Sequence, residues 1–84
     1  MDLEALIMRH EAAFKLIAGL DPKYKREIMK LDENAYKVRA EISKELISCR
    51  IHNRKSLRYH ELVAKLEETV GIMEHYITLG SLLT

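Results

Sequence analysis

Three stretches of this 84-residue chain carry apolar residues at alternating spacings of three and four, the rhythm of one face of an α-helix. The first runs Leu3, Ile7, Phe14, Ile17, with His10 filling the slot between Ile7 and Phe14. The second runs Tyr24, Ile28, Leu31, Ala35, Val38, Ile42, and the third Tyr59, Val63, Leu66, Val70, Met73, Ile77. Seams of this kind bury one helix against another.

The residues between the seams predict where each helix begins and ends. Gly19 is expected to stop the first helix by taking a left-handed backbone, and Leu20 leads straight into Asp21-Pro22. There the carboxylate can cap free N–H groups, and proline at the first helical position gives up no needed donor. Asn53, with Arg50, Arg54 and Lys55 around it, signals the end of the second helix. Ser56 is placed to cap the third, and Gly80 to close it ahead of a short tail of Ser81, Leu82, Leu83 and Thr84.

The expected fold is therefore all-α and a single domain over residues 1–84: a three-helix up-down-up bundle with helices at about 3–18, 22–52 and 56–79. The central helix is a rod of about 46 Å and the first helix only about 24 Å. Half of the rod, near Ile47 to Arg58, should thus be lined by the third helix alone. The rod also carries a second stripe, Met29, Tyr36, Ala40, Ile47 and Ile51. A helix apolar on two sides needs two partners, supplied either by the first and third helices or by a second copy in a homodimer.

Composition narrows the function classes. Fourteen basic and thirteen acidic residues leave a formal charge of +1, so an electrostatic partner would have to be recognised locally. No apolar run approaches the roughly 20 residues that cross a bilayer, so no membrane partner is expected. Cys49 has no second cysteine to pair with, and Asp2 and Glu4 stand where a secretory signal would be positively charged, so the expected location is cytoplasmic.

Candidate chemistry is sparse. Cys49 and His52 share a helical face but supply only two ligands of the four a structural zinc needs, and Glu-x-x-His precedes none of the four histidines. No metal, cofactor or catalytic residue is assigned. His10 is read as a neutral core histidine bonded to Tyr24 or Tyr36, replaceable by leucine without loss of stability. Arg26, Ile28, Leu31, Asp32 and Glu33 resemble the opening of the long first helix of the all-helical chorismate mutases. Where that family places an arginine beyond the aspartate this chain has Ile42, and its downstream lysine and Arg-Glu pair have no counterparts, so no catalytic role is carried over.

Basic residues cluster twice. Arg50, His52, Arg54, Lys55, Arg58 and His60 crowd the second connection, where positive charge suits the helix C-terminal dipole. Lys23, Lys25, Arg26 and Lys30 crowd the start of the second helix, where it is mildly unfavourable. The leading expectation is a small non-enzymatic module that binds another protein through an apolar helix face, as adaptor, inhibitor or chaperone, with Met29, Tyr36, Ile47 and Ile51 as contact residues. In general architecture its hairpin of long helices is similar to small helical co-chaperones of bacterial secretion systems and to compact phage-encoded inhibitors. The alternative is a nucleic-acid-binding module using Arg50, Arg54, Lys55 and Arg58.

Overall fold

The computed structural model describes residues 2–52 and 54–82 and shows three helices: α1 (Leu3–Ile17), α2 (Pro22–His52) and α3 (Leu57–Leu82). They pack as an all-α bundle, a rod of 49 × 19 × 17 Å. Asp2 caps α1, its carboxylate accepting from the Glu4 N–H at 3.1 Å. Asp21 caps α2 as its position implied, accepting from the Lys23 N–H at 2.9 Å, with Pro22 as the first helical residue. Ser56 accepts from the Tyr59 N–H at 3.0 Å, and its own hydroxyl donates to Glu45 at 3.1 Å, so the cap of α3 is tied back to α2.

Neither glycine expected to end a helix does so in the expected way. Gly19 stays out of the left-handed region; α1 ends instead with the Leu20 N–H donating to the Ile17 carbonyl at 3.1 Å, a tighter turn that needs no positive φ. Gly80 lies inside α3, which continues through Ser81 to Leu82. Its lack of a side chain makes room: a Cβ there would stand 2.8 Å from Leu20 Cδ2, so Gly80 lets the α1–α2 connection seat on the end of α3. Asn53 and the last tail residues, Leu83 and Thr84, lie outside the described residues.

The longest interface is between α2 and α3. From α2 it buries Ile28, Ala35, Val38, Ile42 and Cys49, and from α3 Tyr59, Leu62, Leu66, Val70, Met73 and Ile77. Of the expected α2 seam Ile28, Ala35, Val38 and Ile42 are buried and Tyr24 and Leu31 half-buried, with Asp32 and Cys49 joining it; on α3 Val63 is half-buried, and Leu62 and Thr69 are added. On α1 the buried face is turned from the expected one. Leu6, His10, Ala13 and Ile17 are buried, Ile7 is half-buried and Phe14 is exposed. The shorter helix wedges into a groove between two helices already in contact, and the small Ala13 permits an approach that Phe14 would block. Phe14 is displaced to the outer edge of α2, its ring edge-on to Tyr36 with centroids 6.3 Å apart.

The two helical glycines of α3 separate helix propensity from packing. Gly71 has no atom within 4 Å of where a Cβ would stand, so Gly71→Ala should stabilise the protein by roughly 0.5–1 kcal/mol in urea unfolding. Gly80→Ala should gain distinctly less or lose stability, because the new methyl must push Leu20 aside.

Candidate functional site

Two features of the bundle carry chemistry: a polar chain buried between α1 and α2, and an apolar stripe left open on α2. In the first, His10 is fully buried. Its Nε2 lies 2.7 Å from Asp32 Oδ1, and its Nδ1 lies 3.0 Å from a guanidinium nitrogen of Arg39. A guanidinium can only donate, so Nδ1 is the acceptor and the ring proton sits on Nε2, donating to the carboxylate. Arg39 continues to Glu11 at 3.4 Å and lies over the Tyr36 ring at 5.1 Å. Tyr36 in turn meets His10 edge-on at 4.6 Å.

The bonding partners of His10 are therefore Asp32 and Arg39, not Tyr24 or Tyr36; tyrosine supplies only an aromatic wall. Asp32 was the residue the periodicity missed. It interrupts an apolar seam at a helical position where only a buried polar partner could justify it, and His10 interrupts the seam of α1 in the same way. That pairing of interruptions is the signal that could have found it. Chemically the chain is closed: both ring nitrogens are engaged, so His10 has no free lone pair to offer a substrate. Its role is to hold α1 in register on α2, assisted from the other side by the Arg9–Glu74 ion pair between α1 and α3. The hydrogen bond from Arg9 to Glu74 raises the Arg9 pKa further above its already high ordinary value; partial desolvation opposes the shift, and the charges of Glu74 and Glu67 add to it.

The second feature holds all four residues expected to bind protein. Met29 is 51% exposed, Tyr36 44%, Ile47 61% and Ile51 76%. At about 100° per residue they fall, with Ala40, within about 40° of the Met29 direction, a narrow stripe about 33 Å long. Phe14 extends it onto α1. Met29 stands between two shallow clefts, one lined by Phe14, Lys15, Ile17, Ala18 and Lys25, the other by Arg26, Lys30, Asp32, Glu33 and Tyr36. The basic start of α2 thus borders apolar clefts.

The basic residues of the second connection are less free. Arg58 is paired with Glu41 at 2.8 Å and Lys55 lies over the Tyr59 ring at 5.2 Å, while Arg50 and Arg54 are exposed. Cys49 is buried and His52 exposed, and among the described residues no three His, Cys, Asp or Glu side chains converge as metal ligands would. None of the described helices is long and apolar enough to cross a membrane.

The buried chain reverses the outcome expected for a leucine at position 10. His10→Leu should cost about 1–3 kcal/mol in chemical denaturation, because it leaves the buried Asp32 carboxylate without its hydrogen-bond donor. The double change His10→Leu with Asp32→Leu should recover most of that loss. Independently, long-range proton–nitrogen correlation spectra at neutral pH should show the His10 proton on Nε2 and a bare Nδ1.

Comparison of the chain with protein-family models, with curated proteins and with solved structures finds no match, so a functional reading has to rest on the chemistry of these two features.

Proposed function

We propose that this chain is a non-enzymatic protein-interaction module that docks its partner along the open face of α2. The observation that carries this reading is the stripe itself: Met29, Tyr36, Ala40, Ile47 and Ile51 lie in one line with Phe14 beside them, and all are exposed. Isolated exposed apolar side chains are ordinary, but a continuous line of them on a helix surface has the form of a helix-docking seam. Adaptor, inhibitor and chaperone roles all use such a face. The buried polar chain supports the reading from the other side, since it fastens Tyr36 and Arg39 and so presents the stripe on a rigid support.

The test is capture of partners from lysate of the cells that make the protein, with wild type beside Ile47→Asp and Ile51→Asp. Both positions are well exposed, so the variants should keep the helical circular dichroism of the wild type. Proteins held through the stripe should be lost from both variants, because burying an unpaired carboxylate in an interface costs several kcal/mol. Recovery should survive nuclease treatment. If capture is unchanged by the aspartates but is abolished by nuclease and by the joint changes Arg54→Glu, Lys55→Glu and Arg58→Glu, the protein is a nucleic-acid binder and the docking reading fails.

A further inference from the structure

The stripe on α2 is edged with positive charge on both sides. About 60–100° to one side of the Met29 direction lie Arg26, Lys30, Lys37 and Lys44, all exposed, with the three lysines repeating every seventh residue. On the other side lie Lys25, Arg39 and Arg50, and Lys15 of α1 overhangs the cleft beside Phe14. Of the α2 acids only Asp32 and Glu33 share this face, and Asp32 is already committed to His10; Glu11 of α1 engages Arg39, and Glu27 stands 3.8 Å from Lys30, which leaves Arg26, Lys37 and Lys44 in excess along the edge. This concentration of charge stands out against a molecule whose total is +1. It also gives the basic start of α2 a purpose, since cations there oppose the helix dipole.

We infer that the partner docked on this face is an acidic amphipathic helix, with apolar side chains laid between Phe14, Met29, Tyr36 and Ile47 and carboxylates facing Arg26, Lys30, Lys37 and Lys44. The inference rests on the docking reading above and adds the chemistry of the occupant. Three other occupants fit less well. A second copy laid on the same face would set basic edge against basic edge, with Lys37 near Lys44 of the other copy in the antiparallel arrangement. A lipid surface calls for a broad apolar sector, whereas here the apolar side chains keep to a line one residue wide with Glu33 and Ser43 within it. A nucleic acid backbone would gain nothing from the apolar line between the cations.

The probes are synthetic helical peptides of about 24 residues, which reach about 36 Å and so span the stripe. The first has leucines along one seam and glutamates on both flanks. The second keeps the leucines and carries lysines on the flanks, and the third keeps the glutamates and replaces the leucines by alanine. Binding to the intact chain is followed by anisotropy, with phosphatidylglycerol vesicles as a fourth probe and sedimentation of the chain alone as a fifth.

The leucine–glutamate peptide should bind at least about tenfold tighter than either other peptide, a factor that a few exposed ion pairs can supply. Its binding should weaken as salt rises from about 50 to about 500 mM, be lost in Ile47→Asp, and be lost in Lys37→Glu with Lys44→Glu, which should instead favour the lysine-flanked peptide. Equal binding of the two leucine peptides, abolished by Ile47→Asp, overturns the acidic partner and leaves the docking face standing. Failure of every peptide overturns both, as does binding of the alanine peptide as tightly as the leucine one. Vesicle capture without peptide binding assigns the face to a lipid surface, and self-association removed by Ile47→Asp assigns it to a second copy; either result overturns the inference.

Discussion

The long apolar seam between α2 and α3 is the interaction on which everything else in this molecule depends. Among the described residues it is the longest interface, running from Tyr24 beside Tyr76 to Glu45 bonded to Ser56 at the head of α3. Dispersion and hydrophobic burial along it are strong but nearly indifferent to a slide of one helical turn. The Ser56–Glu45 hydrogen bond and the cap of α3 remove that freedom at one end, and the Gly80–Leu20 contact removes it at the other. The hairpin therefore has a defined register before α1 is considered.

Helix α1 has too little apolar surface to be placed by burial alone. Leu6, Ala13 and Ile17 seat it in the groove, but its register follows from the Asp32–His10–Arg39 chain, which is satisfied in one position only. A shift by a single turn would leave a carboxylate and an imidazole buried without partners, and that penalty exceeds what a few small side chains could regain. All buried polar side-chain atoms of the described residues are hydrogen-bonded in the observed register. Polar groups here do the specifying and apolar groups most of the stabilising.

Tyr36 joins this buried chain to the outer surface. One edge of its ring contacts His10, Arg39 lies over its face, and the rest of the ring is on the open stripe beside Phe14. Because α1 sits to one side of α2, it touches the line from Met29 to Ile51 only at its flank, through His10 and Phe14 against Tyr36, and the line's side chains stay exposed. The sealed proton-carrying groups and the open apolar line are thus two consequences of one placement, that of a short helix on a long one. A rigid aromatic at their junction suits a docking surface, since little side-chain freedom remains to be lost on association.

Much of this was determined by sequence alone. The three-four rhythm, the Asp21-Pro22 start and the Ser56 cap depend on spacing and on local hydrogen bonding, so they fix helix number, order and starting points without knowledge of the neighbours. For the same reason the stripe of Met29, Tyr36, Ile47 and Ile51 was legible as a second face. Sequence could not say which side of α1 would be buried, because Leu3, His10 and Ile17 fit a seam through Ile7 and Phe14 as well as one through Leu6 and Ala13. Only the depth of the groove between α2 and α3 decides in favour of the smaller residues. Nor could it connect His10 with Asp32, or show that Gly80 accommodates Leu20 instead of ending a helix. These are relations between residues far apart in the chain, and no local pattern encodes the distance between two helices once packed.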